Sequence, residues 1–512
     1  MMRKLMFVTA GFLSFGVTSA KANNLYIAQN ATGAASGADC ADARAYTTLG
    51  SSDWVAGNVI HLCGTFSMPA GASGVIAIGG SGTSGNPITV KFETGAIATT
   101  PYWGANGFIT ASNQNYIVVD GGTDGSVTST ANGTNLANQQ SVATGVHFNT
   151  VSNAEIKNLN VSNMYVHACV QPLTNCTDAN GGSSYGIEWL YGSNVTIDGN
   201  SVHDAFGCIR YVFNTGTSTN VSVFGNNVYN CNWGINTATG GTNAVLNGDL
   251  IYGNHVHDWG NWDNASNYFH HDGIFVFTTG TGAAINGLQI FNNLIYGNIA
   301  TTMTGHIYIS QTPGTITNAY VYNNVMSNTS SGYAADGYLY DWSTNSFIFN
   351  NTIVGRVATN MGGTGYIQYG NGSTLVNNII TSCYAALLVN TGASIGSSDY
   401  NDIYNCAQVG TTSTTLSQWQ AATGFDAHST AGNPLLNVNS SPPYQLVSTS
   451  SPAYHSGSNL TNYCSTVPAL CTDAAGSARP SSGAWEMGAY QLAGSKSGGA
   501  PNPPAGLTAV VN

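Results

Sequence analysis

The sequence predicts an all-β chain wound as a parallel β-helix, a β-solenoid closed by N- and C-terminal caps. Three observations predict it: a strand phrase that recurs once per coil, cysteines spaced by one coil, and end segments that break the pattern. The phrase occurs eight times between Asn200 and Asn401, as TIDGNSV, SVFGNNV, LIYGNHV, LQIFNNLI, YVYNNVM, FIFNNTI, STLVNNII and SDYNDI. Successive aligned Asn residues lie 26, 28, 39, 31, 27, 27 and 23 residues apart, a period at which each unit covers its neighbour's apolar face. Every copy alternates apolar and polar residues, is rich in Val, Ile, Tyr and Phe, and is bounded by Gly and Asn, which is strand chemistry. The repeating Asn is expected at a bend, in left-handed geometry, stacked on the next coil's Asn as an amide ladder.

The ten cysteines test the coil length independently. Cys40–Cys63, Cys208–Cys231 and Cys383–Cys406 are each separated by 23 residues. Residues one coil apart stand about 4.8 Å from each other, within the roughly 4.4–6.8 Å that a disulfide spans. Cys169–Cys176 and Cys464–Cys471 would close short loops, giving five expected bridges.

The N-terminus predicts an oxidising destination. Met1-Met2-Arg3-Lys4 is basic, Leu5 to Val17 is mostly apolar, and Ala20-Lys21-Ala22 has the small-x-small form of a cleavage site. Residues 1–22 therefore read as a signal peptide and the protein as secreted, extracellular or at the cell surface. No stretch is long enough for a membrane span. The formal charge is −12, and losing Arg3, Lys4 and Lys21 makes it −15. Seven Lys and Arg would remain, which excludes a basic surface for nucleic acid.

Composition divides the rest. Residues 23–84 read as an N-terminal cap, since an uncovered terminal coil exposes apolar surface and open backbone edges. Regular coils span 85–410, starting near NPITVKF and NYIVVDG. Residues 411–494, with TLSQWQAATGFDAHSTAGNPLL and ARPSSGAWEMGAYQL, read as a C-terminal cap. Residues 495–512, GGAPNPPAGLTAVVN at their core, form a Gly/Pro-rich linker or tail.

The coil phrase, SGTSGNPITVKFETGA leading into the coils, and the closing WQAATGFDAHS…NPLL and WEMGAYQ segments carry a family resemblance over residues 24–492. The chain resembles secreted bacterial proteins of the pectin-lyase-like superfamily, which implies a right-handed, single-stranded parallel β-helix. Lyases, glycosidases, esterases, epimerases, tailspikes and adhesins share that fold, so the resemblance leaves activity open.

Chemistry is expected where the repeat is interrupted, because insertions in solenoids emerge as loops. One interruption lies between Leu159 and Asn200. The other, Asn254 to Asn293, holds HVHDWGNWDNASNYFHHDGIFVF. Within it are His255, His257, His270, His271, Asp258, Asp263, Asp272, Trp259, Trp262 and Tyr268, in a chain with only 11 His and 9 Trp. HHDGI is similar to the NTDG segment of polygalacturonase-type glycosidases, which implies a catalytic Asp272. His306 in TGHIYI stands in a loosely GHG-like place, while the adjacent Asp-Asp pair and the Arg-Ile-Lys segment of those enzymes are missing.

Aligning the strands after each bend puts Glu188, Arg210, Asn236, Phe275, Tyr308 and Gln368 in one outward column, with Glu188 and Arg210 on adjacent coils. Asp272 and Asp336 precede Gly in the same phrase two coils apart, roughly 9–10 Å, near the upper end of the about 6.5–9.5 Å expected for an inverting glycosidase. The expected catalytic groups are Asp272, with Asp336 or Asp258 as partner, tuned by His271 and His257. Trp259, Trp262, Tyr268, Trp233, Arg210, Glu188 and His306 are the expected substrate contacts. The sequence establishes no cofactor. Ca²⁺ or Zn²⁺ is an alternative, with His255, His257 and His271 as ligands, Asp272 beside them, and DGGTDG (Asp120–Gly125) as a Ca²⁺ turn or an ordinary one.

The leading expectation is a glycoside hydrolase acting on a neutral or weakly acidic polysaccharide, favoured over a lyase because the central coils offer only Arg210 and Arg356 as basic residues. The competing expectation is a non-catalytic adhesin or structural solenoid that self-associates through its ends.

Overall fold

Residue alternation along each phrase builds the fold directly. Ile187, Ile209, Ile235, Ile274 and Ile307 stand in register on successive parallel strands, and all are fully buried. Each buried Ile contributes about 1.5–3 kcal/mol relative to exposure, so one inward stripe per face suffices to hold neighbouring coils together. The computed structural model describes residues 23–130, 143–164, 184–259, 271–298, 303–328, 337–356 and 363–492. It is a right-handed parallel β-helix. One face is a 16-stranded sheet running from Asn24–Ala28 to Ser394–Asp399. A second face carries short strands such as His255–His257, and a third carries strands such as His271–Thr278. The parallel sheet already begins at Asn24–Ala28, which pairs with Val59–Leu62 and through it with Ile88–Phe92, so the strands of the N-terminal segment belong to the solenoid.

The amide ladder is present. Asn200 Nδ2 donates to Asn226 Oδ1, Asn226 to Asn254, Asn254 to Asn293, and Asn293 to Asn324, each at 3.0 Å. It continues through Asn351 and Asn378 to Asn401. The left-handed residue, however, is the one before each rung: Gly199, Gly225 and Gly253, then Asn292, Asn323, Asn350 and Asn377, and finally Tyr400. The rung needs ordinary backbone because its own N–H also bonds the next amide; the turn is made one residue earlier.

The disulfides Cys40–Cys63, Cys208–Cys231 and Cys383–Cys406 each join residues 23 apart, and Cys464–Cys471 closes a short loop. Cys169 and Cys176 lie outside the described residues, as do residues 1–22 and 493–512. Among the described residues no helix is long and apolar enough to cross a membrane.

The C-terminal segment does two jobs. Helix Leu416–Thr423, with a Thr415/Gln418 capping box, inserts Leu416 and Trp419 into the main core. The last rung, Asn401, donates to Asp426 Oδ1 at 3.0 Å, and its N–H meets Ser429 Oγ at 2.7 Å. The chain then turns back as a strap. Asn323 donates to Thr472 O, Asn350 to Glu486 O, and Asn377 to Ser458 O. Leu460, Val467, Leu470 and Trp485 pack over Phe291, Tyr322 and Phe349.

Candidate functional site

The residues of HVHDWGNWDNASNYFHHDGIFVF separate by strand and by side of the solenoid. On the short face, alternation turns His257 outward into a stack with Tyr229 and Tyr296, at centroid distances of 5.0 and 4.9 Å, which His203 extends at 4.4 Å from Tyr229. His257 Nδ1 meets Asp258 Oδ2 at 2.7 Å. Asp258 is a left-handed bend residue whose Oδ1 accepts from Asn298 N–H at 2.7 Å; Asp204 repeats this role beside His203 two coils earlier. His255, on the same strand, keeps an exposed edge, and the partial burial of its ring lowers its pKa, with His257 adding to the effect.

Two predicted sugar contacts are core residues. Trp259 is buried, edge-on to His306, and a side chain on Gly273 would come within 2.7 Å of the indole. His306 is fully buried, stacks on Tyr338 at 4.5 Å and bonds Ser327 O; burial holds its pKa down at about 4. It is a neutral core imidazole at neutral pH. Trp262, Asp263, Tyr268, His270 and Asp336 lie outside the described residues.

His271 and Asp272 open strand His271–Thr278 on the third face, and both are fully buried. Asp272 stands in register between Trp233 and Gly305, and the next position in that column is Gly337. A register shift falls between His271 and Asp272, the kind of local bulge that re-aims a side chain. The ring of Tyr340 lies against Gly305 and Gly337, where added side chains would meet it at 3.2 and 2.7 Å. Burial, and then the charge of Asp272, push the Tyr308 phenol up to about 12.

The same face holds the ionic cluster expected around Glu188 and Arg210. The strands of Glu188 and Arg210 pair directly, and Arg210 Nη1 donates to Glu188 Oε1 at 2.9 Å. One coil earlier, His147 is in register with Glu188, its Nε2 3.6 Å from Oε2. The Arg210 guanidinium sits 4.6 Å over the Tyr185 ring, a cation–π contact. Burial raises the Glu188 pKa, and Arg210 draws it partly back; burial lowers that of His147. The sequence reading missed His147, although TGVHFN is the strand phrase carried one coil further towards the N-terminus.

Aromatic rings continue the face: Trp233 lies 5.0 Å from Phe206 and 5.6 Å from Phe275, and Phe275 stacks on Tyr308 at 5.3 Å. The predicted column holds from Glu188 through Arg210, Asn236 and Phe275 to Tyr308. Its next members are Tyr340 and Ile367, and Gln368 belongs instead beside Asp341. Pairing Gly337 with Thr364 shifts the alignment of TGYIQY by one residue, which turns Gln368 inward.

For metals, no group of three or more His, Cys, Asp or Glu among the described residues has the arrangement of an ion site. His255 and His257 share the short face, whereas His271 begins a strand of the third face. In DGGTDG, Asp120 Oδ1 accepts from Gly122 N–H at 2.9 Å, the bonding of an ordinary Asp turn, and Asp124 Oδ1 accepts from Gly95 N–H of the neighbouring coil at 2.9 Å.

No protein-family model matches the chain, and no curated protein matches it. Among solved structures, the chain is similar to the pectate lyase Pel9A, with 12% identity over 92% of this chain and 97% of that one and a TM-score of 0.47. It is similar to the DFA-IIIase from Arthrobacter chlorophenolicus A6, with 12% identity, 70% and 89% coverage and a TM-score of 0.39. It is also similar to the Azotobacter vinelandii mannuronan C-5 epimerase AlgE4 A-module, with 13% identity, 74% and 91% coverage and a TM-score of 0.40.

Proposed function

We propose that this protein is a carbohydrate-active enzyme, a glycoside hydrolase that lays a neutral or weakly acidic polysaccharide along the third face, with Asp272 as its principal acid or base. The observation that carries the proposal is the setting of Asp272: a buried carboxyl at a register shift, between Trp233 and a glycine strip, inside a face of aromatic rings. Hydrolysis needs one carboxyl to protonate the leaving oxygen and another to take a proton from water. Asp336, the partner expected from the sequence, lies outside the described residues. The residue in register with Asp272 two strands away is Gly337, so the two carboxyls do not share one column as their common phrase suggested. We keep Asp336 as the proposed second carboxyl on its sequence position alone. Asp258 is engaged by His257 and Asn298 on another side. Glu188 stands three strands away and three residues further along the strand direction, roughly 17 Å, so with Arg210 and His147 it would bind and orient sugar hydroxyls rather than share the proton transfer. His271 would tune Asp272, and Trp233 would contact the glycan.

The four disulfides suit an oxidising compartment, so we place the protein outside the cytosol. The competing scaffold reading loses support at the C-terminal end, where the last ladder rung is satisfied internally and a helix covers the core. The test is reducing-sugar release across neutral and acidic polysaccharides. Asp272→Asn should lower the rate about 10²–10⁴-fold with the fold intact. Undiminished release would sink the assignment, and tight binding without release by the wild type would favour the adhesin.

A further inference from the structure

A second outward column runs beside the site column, two residues further along each strand. Its successive members are Ala238, Phe277, Ser310, Trp342 and Tyr369. Phe277 is in register with both Ala238 and Ser310. Ser310 and Trp342 follow the paired Ile309 and Asp341, and Trp342 N–H donates to Ile309 O. Tyr369 follows Gln368, the partner of Asp341. Phe277 lies 4.5 Å from Phe275, and Trp342 stacks on Tyr369 at 4.4 Å and 12°. Ser310 is thus the one small residue between two aromatic ones, where an unbroken column would carry a ring.

We propose that this gap is a subsite that seats one neutral sugar ring of the glycan between Phe277 and Trp342. The inference rests on the hydrolase reading and names the substrate part that the site grips. The two rings are two strands apart, roughly 9.6 Å, which leaves the thickness of one ring between them. Sugar C–H faces would meet Phe277 and the side of Trp342 turned away from Tyr369. The floor is polar, since Ser310 hydrogen-bonds the Tyr308 side chain, and the Trp342 Nε1–H is a buried donor with no bond among the described residues. Phe277, Ser310 and Trp342 are half-buried and Tyr369 is 37% exposed. No charged residue stands in the column, which selects against a uronate at this position. Tyr308 links the gap to Asp272, whose charge it feels, so the subsite continues the proposed site.

Cellohexaose, xylohexaose, mannohexaose and hexagalacturonate would be titrated calorimetrically into the Asp272→Asn protein, so that turnover does not interfere. At least one neutral hexasaccharide should bind, and Ser310→Phe, which supplies the missing ring, should weaken it tenfold or more while thermal unfolding stays at or above the parent temperature. Trp342→Ala should weaken it similarly, which keeps the test decisive if Ser310→Phe folds poorly. Unchanged affinity in both variants, or binding of hexagalacturonate alone, overturns the subsite. Should Ser310→Phe in the otherwise wild-type enzyme hydrolyse with unaltered KM, the subsite falls while the hydrolase reading stands. Binding of none of the four removes both.

Discussion

Two faces of this solenoid carry columns of aromatic rings, and they are built to different ends. On the 16-stranded sheet, Phe224, Tyr252, Phe291 and Tyr322 stack with centroids 4.8 Å apart at each step and planes within 8°, 5° and 3°. Nothing interrupts them, and from Phe291 onwards they lie under Leu460, Val467, Leu470 and Trp485 of the strap. On the third face the order breaks. Phe275 and Tyr308 are parallel, but Tyr340 turns 77° from Tyr308, and Asn236, Asp272 and Ser310 stand where further rings would go. Coil geometry alone favours the unbroken stack, because identical positions repeat at strand spacing. A regular column is therefore packing, and departures from it mark where selection has favoured chemistry over packing.

If that contrast is right, truncating rings on the two faces should have unequal effects. Trp485 is fully buried against the regular ladder, so Trp485→Ala should cost about 3–5 kcal/mol. Trp342 is half-buried, and Trp342→Ala should cost under about 1.5 kcal/mol while weakening glycan binding. Urea unfolding of both variants checks this, and equal losses would dissolve the distinction.

The faces are also tied through the interior. Tyr211, on a third-face strand, donates to Asp249 Oδ1 of the 16-stranded sheet at 2.8 Å. Burial pushes the Asp249 carboxyl up to about 7, although the hydrogen bond from Tyr211 pulls the other way. The folded state therefore holds this proton more tightly than the unfolded chain, whose Asp titrates near 3.9. The stabilisation is complete below about pH 4 and is lost as pH rises towards 7, by something on the order of 2–4 kcal/mol. Asp402, also pushed by burial to about 7, acts in the same direction. Asp249→Asn should flatten much of the fall in unfolding free energy between pH 4 and 8; an identical slope would show that the carboxyl is not protonated in the folded protein.

What repeats at one coil's separation was legible in the sequence: the strand phrase, the amide ladder, the three cysteine pairs 23 apart, and the Glu188–Arg210 contact. What occurs once was not. The strap meets the coils across separations of 81 to 156 residues, and no period announces such contacts. Local density also misled, because the His- and Trp-rich stretch spans a bend: alternation sends His257 outwards, Trp259 into the core and Asp272 to a different face. Ser310 carried no signal of its own, since a small residue becomes informative only when its neighbours along the axis are known to be Phe277 and Trp342.

The smallest expected effect separates covered from uncovered bends. The left-handed residue before each ladder rung is glycine at 199, 225 and 253, asparagine at 292, 323, 350 and 377, and tyrosine at 400, and three of the four asparagines, Asn323, Asn350 and Asn377, donate to the strap. Asn350, at φ +52°, donates to Glu486 O at 3.0 Å and Gly488 O at 3.2 Å. Asn350→Gly keeps the backbone conformation but leaves those buried carbonyls a donor short, so it should cost about 1–2 kcal/mol. Gly225 has the same conformation with space beside it, since an added side-chain carbon would find its nearest neighbour at 3.8 Å. Asn tolerates that conformation, so Gly225→Asn should change stability by less than about 0.5 kcal/mol. Both follow from chemical unfolding midpoints. A large loss at Gly225 would mean that asparagine at these bends is set by the turn itself, whereas losses confined to Asn350 tie it to holding the strap.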